Sequence, residues 1–104
     1  MTEGRRVPRH PVECPASFAI EDVAGEGVVY NLTDHGCAIA SAVSVPDDGY
    51  ASVSITLPGQ SEPVVVELAR VRWVTRQEFG LEFRIMSRTA KHRLQKFRSH
   101  DQTA

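Results

Sequence analysis

Alternation of apolar and polar residues at a period of two runs through most of this chain, and it admits strands where it admits little else. Val53, Ile55 and Leu57 interleave with Ser52, Ser54 and Thr56. Val12, Cys14, Ala16, Phe18 and Ile20 do the same against Glu13, Pro15 and Ser17, and Phe79, Leu81, Phe83 and Ile85 repeat the pattern near the end. Each set then lies on one face of a strand, one face toward a core and one toward water. The spacing predicts strands over 12–20, 28–32, 37–42, 50–57, 63–74 and 79–85, with a hairpin turn over 21–27 and a loop over 45–49. Connections such as Pro58-Gly59-Gln60-Ser61 are too short for parallel crossovers, so the strands are antiparallel. In a chain of 104 residues, six such strands make a small six-stranded antiparallel β-barrel.

The longest strand changes phase. Val64, Val66 and Leu68 mark one face, and then Ala69, Val71 and Trp73 mark the other. A slip of one residue inverts every later side chain, which places a β-bulge near Leu68-Ala69 where the strand bends round the barrel. After the slip Trp73 belongs by phase to the core, and Arg70 and Arg72 point outward. On the second strand Val28, Tyr30 and Leu32 share the better apolar face, with Asn31 and Thr33 opposite. Pro15, with no N–H to give a ladder, belongs at an edge or a bulge. Ser87 can cap a closing C-terminal helix over 88–99, whose stripe is Ala90, Leu94 and Phe97. The expected division is an arm without regular structure over 1–11, set by Pro8 and Pro11, a barrel domain with its helix over 12–99, and a frayed tail over 100–104.

Charge is segregated. Residues 10–69 carry nine acidic residues and no lysine or arginine, while all twelve basic residues, ten of them arginine, lie in 5–9 or 70–98. The net charge of −1 and the scarcity of aromatic side chains argue against a binder of single-stranded nucleic acid. No apolar run reaches the ~20 residues of a membrane span, and no apolar segment follows the first residues as in a signal peptide. The expected location is the cytoplasm, with Cys14 and Cys37 reduced and no membrane insertion. His10, Cys14, His35 and Cys37 lack the spacing of a zinc site, and no group orients His35 against Cys37 as base against nucleophile. Neither a metal, nor a cofactor, nor an enzyme is expected.

Two stretches do not look like ordinary packing. Asn31-Leu32-Thr33-Asp34-His35-Gly36 ends a strand and turns, with Gly36 free to take a positive φ. Arg5, Arg6 and Arg9 crowd three guanidinium groups into five residues around Pro8. The guanidinium fork suits phosphate oxygens and the acceptor edge of guanine, so the pair of stretches suggests an anionic ligand that contains a base.

Arg5-x-x-x-Arg9 followed by Asn31-x-Thr33-x-x-Gly36 resembles the RxxxR and (D/N)xSxxG motifs of PilZ domains, the bacterial receptors for cyclic di-GMP. Val71-Arg72-Trp73-Val74 and Phe79-Gly80-Leu81-Glu82-Phe83 look like that family's closing strands, and the resemblance covers roughly residues 5–98. It implies a PilZ-like split barrel without catalytic activity. By the same resemblance Arg5 and Arg9 hold phosphate and the guanine Hoogsteen edge, with Arg6 as a neighbour outside the motif. Asn31 and Thr33 bond base or phosphate, and Gly36 lets the ligand come close. Arg72, projecting from the outer face, is a further candidate contact, and a stacking platform is the alternative reading of Trp73. Thr33 stands where the family usually has serine. The expected function is a stand-alone cyclic di-GMP receptor whose arm is mobile when free, orders on the ligand, and signals to a protein partner. The alternative is a degenerate PilZ-like adaptor that binds protein and no nucleotide.

Overall fold

The computed structural model describes residues 11–102, with side chains from 12 to 97. The expected arm, with Arg5, Arg6 and Arg9, lies outside the described residues. Six strands and one helix follow in order: β1 (Pro11–Ile20), β2 (Val23–Leu32), β3 (Gly36–Ala40), β4 (Tyr50–Ile55), β5 (Val64–Val74), β6 (Glu78–Met86) and α1 (Arg88–Gln102). Every pairing is antiparallel, and the sheet closes in the order β1-β2-β3-β6-β5-β4. Closure leaves no open sheet edge to be covered.

The alternating residues fill the barrel, except Ile85 of the last strand, which is 51 % exposed rather than on the inner face. Cys14, Phe18 and Ile20 of β1, Val53 and Ile55 of β4, Val64, Val66 and Val71 of β5, and Phe79 and Leu81 of β6 are all buried. Phe18 and Phe79 meet edge to face, ring centres 4.9 Å apart, a favoured aromatic geometry. Helix α1 closes one side through Ala90 and Leu94, with Phe97 half-buried. Ser87 caps it: its hydroxyl accepts the Ala90 N–H at 3.0 Å. Arg93 ties the helix to the β4–β5 connection, donating to the carbonyls of Pro63 and Glu62 and to the side chain of Gln60.

The bulge in β5 stands where the phase change placed it, with register shifts on both sides of Leu68. Helix α1 runs to Gln102, past the expected end at 99 and into the expected tail, and three expectations about the strands differ. The first concerns the β1–β2 hairpin, where the turn shrinks to Glu21-Asp22, with Glu21 at φ 53°. Gly25 and Gly27 are strand residues paired with Phe18 and Ala16, and neighbouring chains crowd the space where their side chains would stand. The second concerns β2. Its register against β3 shifts between Val29 and Asn31, so Val29 and Leu32 are both buried while Val28 is exposed. Asn31 stays off the core, but through a bulge rather than by simple alternation. The third concerns Pro15, which sits in a closed barrel one residue outside the β1–β4 ladder that begins at Ala16, where its missing N–H costs nothing.

Candidate functional site

The polar turn between β2 and β3 is built by Thr33. Its hydroxyl accepts the amides of His35 and Gly36, both at 3.1 Å, and donates to the Gly36 carbonyl at 3.3 Å. The Thr33 amide also donates to that carbonyl at 2.9 Å. A hydroxyl has one proton and two lone pairs, so this one is fully engaged by its own turn. The His35 carbonyl accepts the Phe83 amide at 2.7 Å, which fastens the turn to β6. Thr33→Val keeps the shape and removes the one oxygen that accepts both amides. It is expected to lower stability by roughly 1–2 kcal/mol, whereas Thr33→Ser leaves the melting temperature nearly unchanged. Thermal unfolding of the two variants checks this, and equal melting temperatures would show that the hydroxyl does not hold the turn.

Gly36 is needed for a reason other than the one its sequence context suggests. Its φ is not left-handed. It pairs with Glu82 on β6, and a Cβ there would overlap the Leu81 carbonyl oxygen. A side chain would therefore push the turn off β6.

These residues open onto a pocket of about 290 Å³ where Asn31, Thr33 and Gly36 meet Arg72, Trp73 and Gly80. The Asn31 side-chain oxygen is shielded from solvent and has no hydrogen-bond partner among the described residues, a state that costs on the order of 1–3 kcal/mol if nothing fills it. Arg72 is exposed, its guanidinium 3.6 Å from Glu82, and Arg84 stands 3.4 Å from the same carboxylate oxygen. That oxygen makes no hydrogen bond, only these two loose ion pairs. Pairs so exposed hold little free energy, so Arg72 can turn to an anion while Arg84 still faces Glu82.

Trp73 is the correction in this pocket. It is 41 % exposed, not core. A second register shift on β5, between Val71 and Trp73, breaks the alternation again and turns the indole outward. Its partner across the ladder is Gly80, and the ring lies where a Gly80 side chain would be. The missing signal was the glycine opposite: a large ring facing a residue with no side chain can lie flat on the sheet.

The thiols take no part. Burial, with Cys14 nearby, pushes the Cys37 thiol up to about 12, and burial raises Cys14 as well. Burial therefore favours the protonated thiol at both positions, which disfavours a thiolate nucleophile at neutral pH. Among the described residues no group of three or more histidine, cysteine or acidic side chains could hold a metal ion, and no helix is long and apolar enough to cross a membrane.

One further geometric fact concerns β1. Pro11, where β1 begins, pairs with Asn31. The start of β1 thus lies beside the pocket.

A closed six-stranded barrel with a terminal helix thus carries a polar turn that opens onto a pocket with one arginine and one indole. The chain belongs to the PilZ domain family, whose model matches residues 3–98. PilZ domains serve in general as receptor and adaptor domains for cyclic di-GMP. Among solved structures the chain resembles Bacillus subtilis inhibitor of motility (MotI/DgrA), at 18 % identity and a TM-score of 0.76, over 98 % of this chain and 53 % of that one. The chain thus spans about half the length of that protein. It also resembles the PilZ domain of CeSA from a cellulose-synthesizing bacterium, at 15 % identity and a TM-score of 0.67, over 86 % of this chain and 93 % of that one. At these identities the likeness is one of fold. No curated protein matches the chain.

Proposed function

We propose that this chain is a cytoplasmic receptor for cyclic di-GMP that passes its signal to a protein partner. The observation that carries the proposal is the meeting of Asn31, Arg72 and the exposed face of Trp73 around one pocket, beside the start of β1. Each part has a physical task. Arg5 and Arg9 form charge-assisted bonds to phosphate and to the guanine edge, with Arg6 adding positive charge beside them. Arg72 supplies a further cation. The Asn31 amide satisfies its buried oxygen on a base N–H, and the Trp73 ring offers a flat face on which guanine stacks. Thr33 and Gly36 act through the backbone: they hold the turn tight against β6 so that Asn31 is presented at a fixed place. The output is mechanical. Ligand brings phosphate between like-charged arginines, orders residues 5–10 against the barrel, and so makes a surface that a partner reads.

Trp73 is the single tryptophan of the chain, which makes its emission a reporter of this pocket alone. Titration with cyclic di-GMP is expected to change that emission saturably. Asn31→Ala is expected to weaken the apparent affinity about tenfold, the loss of one hydrogen bond to a buried group. Emission that stays constant up to millimolar ligand would contradict stacking at this pocket.

A further inference from the structure

The turn that lines the nucleotide pocket has a second side. Asp34 and His35 face a cleft of about 260 Å³ between the turn, β6 and α1. Its floor is apolar, formed by Phe83, Met86 and Leu94, and its rim carries Arg84 and Lys91. The helix beside it has Arg88, Lys91, Arg93 and Lys96 within positions 88–97 and no acidic residue there. Arg93 is committed to the β4–β5 connection. Arg88, Lys91 and Lys96 are exposed, and the ion pairs of the described residues involve none of them. With no acidic residue over 88–97, the helix face is not neutralised from its own segment.

We propose that this cleft and the exposed face of α1 dock an acidic segment of a partner protein. One apolar side chain of that segment sits on the Phe83, Met86 and Leu94 floor, and carboxylates on either side of it meet Lys91, Arg88 and Lys96. Such a surface needs both parts: the apolar seat gives affinity, and the opposed charges give orientation and a fast encounter. A nucleic acid would use only one of them. The exposed side of α1 over 88–97 offers no phenylalanine, tyrosine or tryptophan face, only the small ring of His92, for bases to stack on. The surface is separate from the nucleotide pocket, so it is tested without nucleotide.

The probe is a fluorescein-labelled peptide with one leucine flanked by two glutamates on each side, read by anisotropy, with amide NMR shifts to locate it. Saturable binding is expected, with shifts gathered on His35, Arg84, Lys91 and Gln95. Replacing the peptide leucine by serine, or Lys91→Glu in the protein, is expected to weaken binding by roughly tenfold each. Lys91 is exposed, so the charge reversal leaves the barrel intact, and an unchanged melting temperature confirms it. Three results would overturn the proposal: shifts that fall elsewhere, equal binding by the serine peptide, or equal binding by a single-stranded oligonucleotide of the same charge.

Discussion

Phe79→Ala is expected to lower the unfolding free energy by about 3–5 kcal/mol. The ring is 1 % exposed, at the second residue of β6, a strand that pairs with β3 on one side and β5 on the other. Its edge-to-face partner Phe18 comes from β1, so one side chain joins three neighbouring contacts across the barrel. Alanine leaves a cavity that two strands locked by ladder hydrogen bonds cannot collapse to fill. A domain of this kind holds about 5–15 kcal/mol in all, so the variant loses a large share of it. Urea unfolding reads the effect as a lower midpoint with an unchanged slope. A midpoint shifted by less than the equivalent of about 1 kcal/mol would mean the packing around Phe79 is already loose.

The second large effect is on binding. A hydrogen bond to a charged group contributes roughly 1.5–3 kcal/mol. Arg9→Ala is therefore expected to weaken cyclic di-GMP binding about 10- to 100-fold. Arg5→Ala with Arg9→Ala together, if the two guanidinium groups act on separate parts of the ligand, reaches ~100-fold or more. The ligand-free protein keeps its melting temperature, because the buried core of the described residues begins at Cys14.

The barrel was legible because alternation at period two was clean in β1, β4 and β6, and because the slip in β5 fell between two runs that were each unambiguous. The helix was legible from Ser87 and from the Ala90–Leu94–Phe97 stripe. What alternation could not show was two further slips. At Val29–Asn31 and at Val71–Trp73 a register shift turns the chain once more, and only the paired strand reveals it. Glycine was read as a sign of turns, but Gly25 and Gly27 lie inside β2, and Gly36 is there for the Leu81 carbonyl rather than for a positive φ. A glycine required by a neighbour's backbone has the same local sequence as one required by its own. In the pocket, Asn31, Thr33, Gly36 and Arg72 come together as their spacing suggested. Phase alone places Trp73 in the core, and the Thr33 motif position alone does not show that its hydroxyl also holds its own turn. Both facts depend on the strand or turn that faces the residue.

The most direct test of the receptor reading is isothermal calorimetry of cyclic di-GMP against the unmodified chain and against the Arg5→Ala, Arg9→Ala pair. The account predicts saturable heat for the unmodified chain and a loss of ~100-fold or more in affinity for the pair, with both proteins melting at the same temperature. Equal affinity in the two proteins would contradict the arginine site. No heat from the unmodified chain would leave the PilZ fold standing as an adaptor for protein alone.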